Sequence, residues 1–191
     1  MIGNDIVDLR LAEVQSNWRR KGFLDKVFTA SEQSMISRSQ QPDILVWKLW
    51  SMKESAYKAR LRLQKKIKID PLAFDCMPGN KDLGQVCCEG KIYHTISGIG
   101  DDFIHTYAYA DKFDTRLSQD IVHMNETNRV RKTLYQAVIS AVAFTMDWKK
   151  HDLAIAKNDL GIPELYRRDK KTTILCSLSH HGRYGSYMTS F

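Results

Sequence analysis

Apolar residues alternate with polar ones in short runs at both ends of the chain and recur at helical spacing in two long stretches. Over residues 2–9, Ile2, Val7 and Leu9 are set loosely against Asp5 and Asp8. That is the period of a short strand whose end delivers Asp5. Residues 12–27 carry Val14, Trp18, Phe23, Leu24 and Val27 in a helical pattern with a break at Gly22. Thr29-Ala30-Ser31-Glu32 has the form of a capping box, which predicts a short helix toward Ile36. A polar loop over 37–42 follows. Then Ile44, Val46, Trp47, Leu49, Trp50, Ala56, Tyr57 and Leu61 predict a long helix from 43 to about 62, with Asp43 as its cap just after Pro42.

The basic run Lys65, Lys66 and Lys68 reads as a solvated exit loop, and Ile69-Asp70-Pro71 as a helix stop. Residues 72–76, 84–89, 91–97 and 103–110 read as strands, with turns at Pro78-Gly79, Gly90 and Gly98 to Gly100. Residues 111–124 read as a linker. From Glu126 to about Met146, the positions Val130, Leu134, Val138, Ala141, Val142 and Thr145 predict a second long helix. Leu153-Ala154-Ile155 is strand-like and Leu160-Gly161-Ile162-Pro163 is a turn. Residues 173–178 and 184–188 read as strands around Ser179 to Arg183. Each half thus has a long helix, a turn and then a strand pair.

Composition narrows the class. The 191 residues are 43% hydrophobic and 27% charged, ordinary for a globular protein in water. No stretch approaches the roughly 18 apolar residues of a membrane span. Cys76, Cys87, Cys88 and Cys176 lack metal-ligand spacing, and Asp5 and Asp8 stand where a signal peptide needs an apolar run. Both features read as a reducing cytoplasm. The net charge of +7 favours an acidic partner. The basic residues are spread out and match no nucleic-acid motif, so nucleic acid is not the expected one.

Candidate chemistry centres on the first long helix. Glu54 and Lys58 are four apart and share a face, with Lys53 adjacent. An arbitrary pair of this kind is a surface ion pair. A carboxylate between two ammonium groups, in a run with Trp47 and Trp50, is also what a metal-pyrophosphate site needs.

Three segments resemble one family. Trp50-Ser51-Met52-Lys53-Glu54-Ser55-Ala56-Tyr57-Lys58 resembles the W-x-x-K-E-A/S-x-x-K signature of 4'-phosphopantetheinyl transferases. Gly3-Asn4-Asp5-Ile6-Val7-Asp8-Leu9 resembles that family's G-x-D-I/V strand. Ser177-Leu178-Ser179-His180-His181-Gly182-Arg183-Tyr184 resembles its S-x-S-H segment. The resemblance implies an α+β fold of two similar lobes, residues 1–112 and 113–191, each with a long helix packed on a small antiparallel sheet. It implies Mg²⁺-dependent transfer of 4'-phosphopantetheine from coenzyme A to a serine of an acidic acyl or peptidyl carrier protein, releasing 3',5'-ADP. Such carriers serve fatty acid or polyketide biosynthesis. The competing expectation is a non-catalytic module of the same fold that binds carrier protein or coenzyme A.

By the same resemblance, Asp5 and Glu54 are the metal ligands. Glu54 or a water on the metal is the base, and Lys53 and Lys58 neutralise the pyrophosphate. Ser179 and His180, with Arg183 close by, meet the 3'-phosphate. Arg131 or Lys132 adds a basic contact, and Gly161 and Pro163 frame the adenine in a turn resembling G-K/R-P. Two positions depart from the pattern. Larger members carry G-x-D-x-E, where this chain has Val7, so a water stands in for that ligand and Asp8 lies behind the site. Ile162 replaces the basic residue of the turn. His94, His105 and His181 are expected in strands or turns, and Trp47 and Trp50 in the core. The motif order matches the shorter synthases that build the site between subunits, yet joining tail to head reproduces the order of the two-lobed members. The expectation is a circularly permuted two-lobed chain acting as a monomer, with a homotrimer as the alternative.

Overall fold

The computed structural model describes residues 1–63, 70–110, 116–124 and 129–191. The run Lys65, Lys66 and Lys68, the stretch 111–115 and the expected helix start at Glu126 lie outside the described residues. Strand β1 (Ile2–Asp8) leads directly into helix α1 (Leu9–Gln15), then α2 (Phe23–Val27), α3 (Ala30–Arg38) and the 20-residue α4 (Pro42–Leu61). Strands β2 (Asp75–Pro78), β3 (Leu83–Cys88), β4 (Lys91–Ile99) and β5 (Phe103–Ala110) complete a five-stranded antiparallel sheet in the order β1-β5-β4-β3-β2. The second sheet takes β6 (Leu117–His123), β7 (Leu153–Lys157), β8 (Pro163–Arg167), β9 (Lys170–His181) and β10 (Tyr184–Ser190), in the order β6-β10-β9-β8-β7. Its helix is α5 (Val130–Met146). The result is an α+β fold of two sheets, each with one long helix.

Each sheet buries an apolar face under its helix. In the first, Leu49, Met52, Ala56 and Ala59 of α4 pack with Val7, Val86, Tyr93 and Ile104. In the second, Val138 and Val142 of α5 pack with Leu153, Leu165, Cys176 and Tyr187. Gly3 shows how tightly α4 sits on β1. A Cβ there would lie 2.2 Å from the Ser55 carbonyl oxygen and 2.5 Å from the Ala59 nitrogen. The glycine of the G-x-D motif is therefore a packing requirement: only hydrogen fits between strand and helix.

Several elements depart from the sequence reading. The capping box at Thr29 and Glu32 is present, but Asp43 is no cap. Helix α4 begins at Pro42, and the Asp43 carboxylate instead accepts the Trp18 indole N–H and a two-pronged bond from Arg19. The expected linker contains β6, a partly exposed strand whose polar sequence hides its pairing with β10. Strand β8 begins within the expected turn at Pro163, and β9 continues through Ser179 to His181. Residues 71–73 form a short 3₁₀ turn before β2. No helix among the described residues is long and apolar enough to cross a membrane.

The two sheets meet along β1, an edge of the first sheet that runs beside β9. Its outward N–H groups would be unpaired there. Side chains on alternate residues of β9 satisfy them. Ser177 Oγ accepts from Asn4 (3.1 Å), Ser179 Oγ from Ile6 (3.2 Å) and His181 Nδ1 from Asp8 (3.0 Å). The register advances two residues per bond on both strands, so β1 runs parallel to β9 and antiparallel to β10. The end of β10 therefore comes to the start of β1. Asn4 Nδ2 also donates to Ser186 Oγ of β10 at 2.7 Å.

Candidate functional site

Asp5 lies in the middle of this seam, 8% exposed. Its Oδ1 accepts from Lys58 Nζ at 3.0 Å and from Ser179 Oγ at 2.9 Å. Lys58 also donates to the Asn4 carbonyl oxygen at 2.8 Å. One carboxylate is thus held by a helix of the first half and a strand of the second. Glu54, one turn before Lys58 on α4, shares a cavity of about 350 Å³ with Asp5 and His180. Most of the remaining wall is apolar, including Phe23, Val27, Trp47 and Trp50, with Ser16 and His181 as its other polar members.

The electrostatics follow from that lining. Burial pushes the Glu54 carboxyl up from 4.5 to about 7, and the negative charge of Asp5 adds to the rise against the opposing pull of Lys58. Glu54 and the neighbouring Asp5, whose charge disfavours that of Glu54, form a hard-oxygen pair on one cavity that a divalent cation would relieve. That donor set fits Mg²⁺, which uses one or two carboxylates and keeps its remaining positions for water and phosphate oxygens. Among the described residues no cluster of three or more His, Cys, Asp or Glu offers a fuller cage.

His180 also lines a second, larger cavity of about 820 Å³ with Arg129, Arg131, Lys132 and Lys157. Its imidazole pKa is lowered by burial and then by the positive charges of Lys58, His181 and Lys157. Burial is the larger cause, and the three cations add to it in the same direction. The acidic and the basic cavity therefore meet at one side chain. Lys157, a lone lysine at the end of β7, carries no signal in the sequence and was not among the expected site residues.

Other expectations do not converge here. Lys53 is fully buried and faces away from the cavity. Its ammonium pairs with Glu32 at 2.8 Å and donates to the Pro71 carbonyl oxygen at 2.8 Å and to that of Phe74. It joins α4 to α3 and the 71–74 turn and is not placed to meet a ligand. The sequence placed it beside Glu54, but on a helix the next residue points about 100° away. The single Ser179 proton is engaged by Asp5, which leaves none for a phosphate. Arg183 binds Asp8 with two nitrogens, at 2.7 and 2.8 Å, and Asp102 at 3.1 Å. It closes the seam rather than facing either cavity. Pro163 lines a separate cavity of about 170 Å³ with Arg62 and Glu164, and Gly161 is the exposed positive-φ residue of the β7–β8 turn. Neither lines the cavity that holds Arg131.

Asp8 lies behind the site, as expected. It caps α1 through the Arg10 and Leu11 N–H groups, and Arg183 holds its carboxyl far below the usual range. His181 belongs to the seam, and His94 stacks on Tyr109. Trp47 is in the core and Trp50 packs against it, while both also wall the acidic cavity. His105 is buried, which lowers its pKa to about 4 and keeps it neutral.

A family model described as the 4'-phosphopantetheinyl transferase superfamily matches residues 1–108. No curated protein gives a significant match. Among solved structures, the holo-acyl-carrier-protein synthase of Thermotoga maritima is 11% identical with a TM-score of 0.46, covering 89% of this chain and 83% of that one. The Helicobacter pylori holo-acyl-carrier-protein synthase in complex with coenzyme A is 13% identical with a TM-score of 0.27, covering 99% and 97%. Neither likeness is close enough to carry residue roles across.

Proposed function

The chain belongs to the 4'-phosphopantetheinyl transferase superfamily, and we propose that it moves 4'-phosphopantetheine from coenzyme A to a serine hydroxyl of an acidic acyl or peptidyl carrier protein. The observation that carries this reading is the junction at His180. Asp5 and Glu54 line one cavity, Arg131, Lys132 and Lys157 line the other, and the imidazole is common to both. A pyrophosphate with a further phosphate at a distance is the kind of ligand that fits an acid-lined cavity opening beside a basic one.

In this reading the serine oxygen bonds to the phosphorus next to pantetheine, the bridging P–O bond breaks, and 3',5'-ADP leaves. Catalysis of such a displacement is mostly positioning and charge stabilisation. Asp5 and Glu54 would hold Mg²⁺, whose role when bound is to neutralise charge on the pyrophosphate oxygens. Glu54 is the side chain we assign to take the serine proton. It lines the cavity beside Asp5 and is the acidic group of α4 there. Lys58 has used two of its three donors on Asn4 and Asp5, and we assign the third to the pyrophosphate. His180, Lys157 and Arg131 or Lys132 would receive the 3'-phosphate. The apolar wall of Phe23, Val27, Trp47 and Trp50 would take the pantetheine arm.

We take the lobes to be residues 1–112 and 113–191. The strands of the first sheet fall within one and those of the second within the other. Both sides of the site come from one chain, which supports activity as a monomer, and the meeting of β1 with β10 supports a permuted two-lobed arrangement. The net charge of +7 supports an acidic carrier. The test is intact-mass spectrometry of an apo carrier protein incubated with coenzyme A, Mg²⁺ and this protein. The expected result is a carrier mass increased by one phosphopantetheine. Coenzyme A binding without any mass gain on several carriers would instead mark a non-catalytic module.

A further inference from the structure

The seam between the sheets does more than join them. Ser177, Ser179 and His181 all accept a backbone N–H from β1, but only Ser179 also touches Asp5. A hydroxyl has one proton and two acceptor sites. The Ile6 N–H occupies an acceptor site and fixes the oxygen, and the proton goes to Asp5 Oδ1 at 2.9 Å. Lys58 bonds the same oxygen at 3.0 Å. Both bonds fall on Oδ1, and among the described residues no hydrogen bond occupies Oδ2. The contacts therefore give the two oxygens of one carboxylate different tasks. Ser179 is 6% exposed and Asp5 8%, so water competes little for either bond.

We propose that Ser179 is a positioning residue for the cation site: its hydroxyl, anchored by the backbone of β1, aims the Asp5 carboxylate so that Oδ2 is presented to a divalent cation. This rests on the reading of Asp5 and Glu54 as cation ligands and changes the part Ser179 plays in it. Ser179 acts on the metal side of the site, and His180, the next residue on the strand with its side chain on the opposite face, acts on the anion side. Two adjacent residues of β9 thus serve opposite charges. The arrangement also couples docking of the second sheet to cation binding in the first, because the bond that seals the seam is the bond that aims the ligand.

The test is Mn²⁺ binding to the full chain, read by electron paramagnetic resonance in the absence of coenzyme A and carrier. Four variants are compared with wild type: Ser179→Ala, Ser179→Cys, Ser179→Thr and Ser177→Ala. Ser177→Ala removes a neighbouring bond of the same seam without touching Asp5, so it reports the structural cost alone. Loss of a group that orients a metal ligand typically weakens metal binding by about tenfold or more. The expected result is about a tenfold rise in the Mn²⁺ dissociation constant for Ser179→Ala relative to Ser177→Ala. Ser179→Cys, of similar size but a weak donor, should follow it, and Ser179→Thr, which keeps the hydroxyl, should restore binding. The preference for coenzyme A over dephospho-coenzyme A should not change in any of them. Equal Mn²⁺ affinity in Ser179→Ala, Ser179→Cys and Ser177→Ala overturns the proposal, as does a loss confined to coenzyme A over its dephospho form. If Ser179→Ala does not fold, the Cys and Thr pair decides by the same criteria. Failure of the wild type to bind Mn²⁺ would overturn the cation reading beneath it, an outcome distinct from either of these.

Discussion

Glu54→Gln should make the metal-free protein more stable at alkaline pH while abolishing transfer. The carboxyl has an affinity for protons near 7 in the fold, against an ordinary 4.5, because it is buried beside the charge of Asp5. A group whose folded pKa is raised contributes stability in its protonated form. That contribution is fully present below about pH 4.5 and is lost as the pH rises through 7. The full displacement corresponds to about 3 kcal/mol. Glu54 lies at a cavity wall with partial access to water, so about 2 kcal/mol is the expected penalty above pH 7 once solvent screening is allowed for. Glutamine keeps the shape and stays neutral at every pH, so it escapes the penalty. In a chain of this size 2 kcal/mol raises Tm by roughly 4–8 °C. Thermal unfolding followed by circular dichroism in EDTA, at pH 5 and pH 8, measures it. The variant should stay within about 1 kcal/mol of wild type at pH 5 and exceed it by about 2 kcal/mol at pH 8. An equal shift at both pH values, or a less stable variant at pH 8, refutes the electrostatic argument for the site.

Other outcomes follow from the same contacts. His180→Ala and Lys157→Ala should each raise KM for coenzyme A by about tenfold, the loss of one charge-assisted phosphate bond, with little effect on dephospho-coenzyme A; equal losses on both substrates would place these residues elsewhere. Lys53→Met should destabilise the chain in urea by about 3–5 kcal/mol, because Glu32 is left charged and buried, with KM for coenzyme A unchanged in the folded fraction. Gly182→Ala should cost about 1–3 kcal/mol, since φ is +53° and a Cβ would lie 2.5 Å from Asp8 Oδ2; an unchanged urea midpoint would mean the seam yields easily. Transfer to an acidic carrier should slow as salt rises from low to physiological strength, and a salt-independent rate would remove charge steering from the account.

The sequence carried the helices well, because α5 shows one apolar stripe of helical period and α4 is a long run free of internal Gly and Pro, although its buried residues lie on more than one side. It carried the three motifs, because each is contiguous. It missed β6 and β8, whose outward residues leave no alternation to read, and extended β9 too little because Ser179, His180 and His181 look like a polar loop. Those three are polar for different reasons: two seal a seam between sheets, and one stands where two cavities meet. Lys53 illustrates the limit most clearly. Adjacency to Glu54 suggested a shared site, while the partner that claims Lys53, Glu32, lies 21 positions away and could be found only once α3 was packed on α4. Lys157 was invisible for a similar reason, since a single lysine acquires meaning only from the His180 beside it in space.

The central claim is that one chain supplies both sides of a phosphopantetheinyl transfer site, the carboxylates from β1 and α4 and the basic side from the second sheet and α5. Mixing two crippled variants tests it most directly. Asp5→Asn lacks a cation ligand, and the double variant Lys157→Ala with His180→Ala lacks the anion side. Carrier modification is followed by intact mass at limiting coenzyme A for wild type, each variant and their equimolar mixture. Transfer by wild type is expected, with no more from the mixture than from the variants measured separately. Recovery of transfer in the mixture would show that neighbouring subunits complete each other's sites, and absence of transfer by wild type would contradict the activity itself.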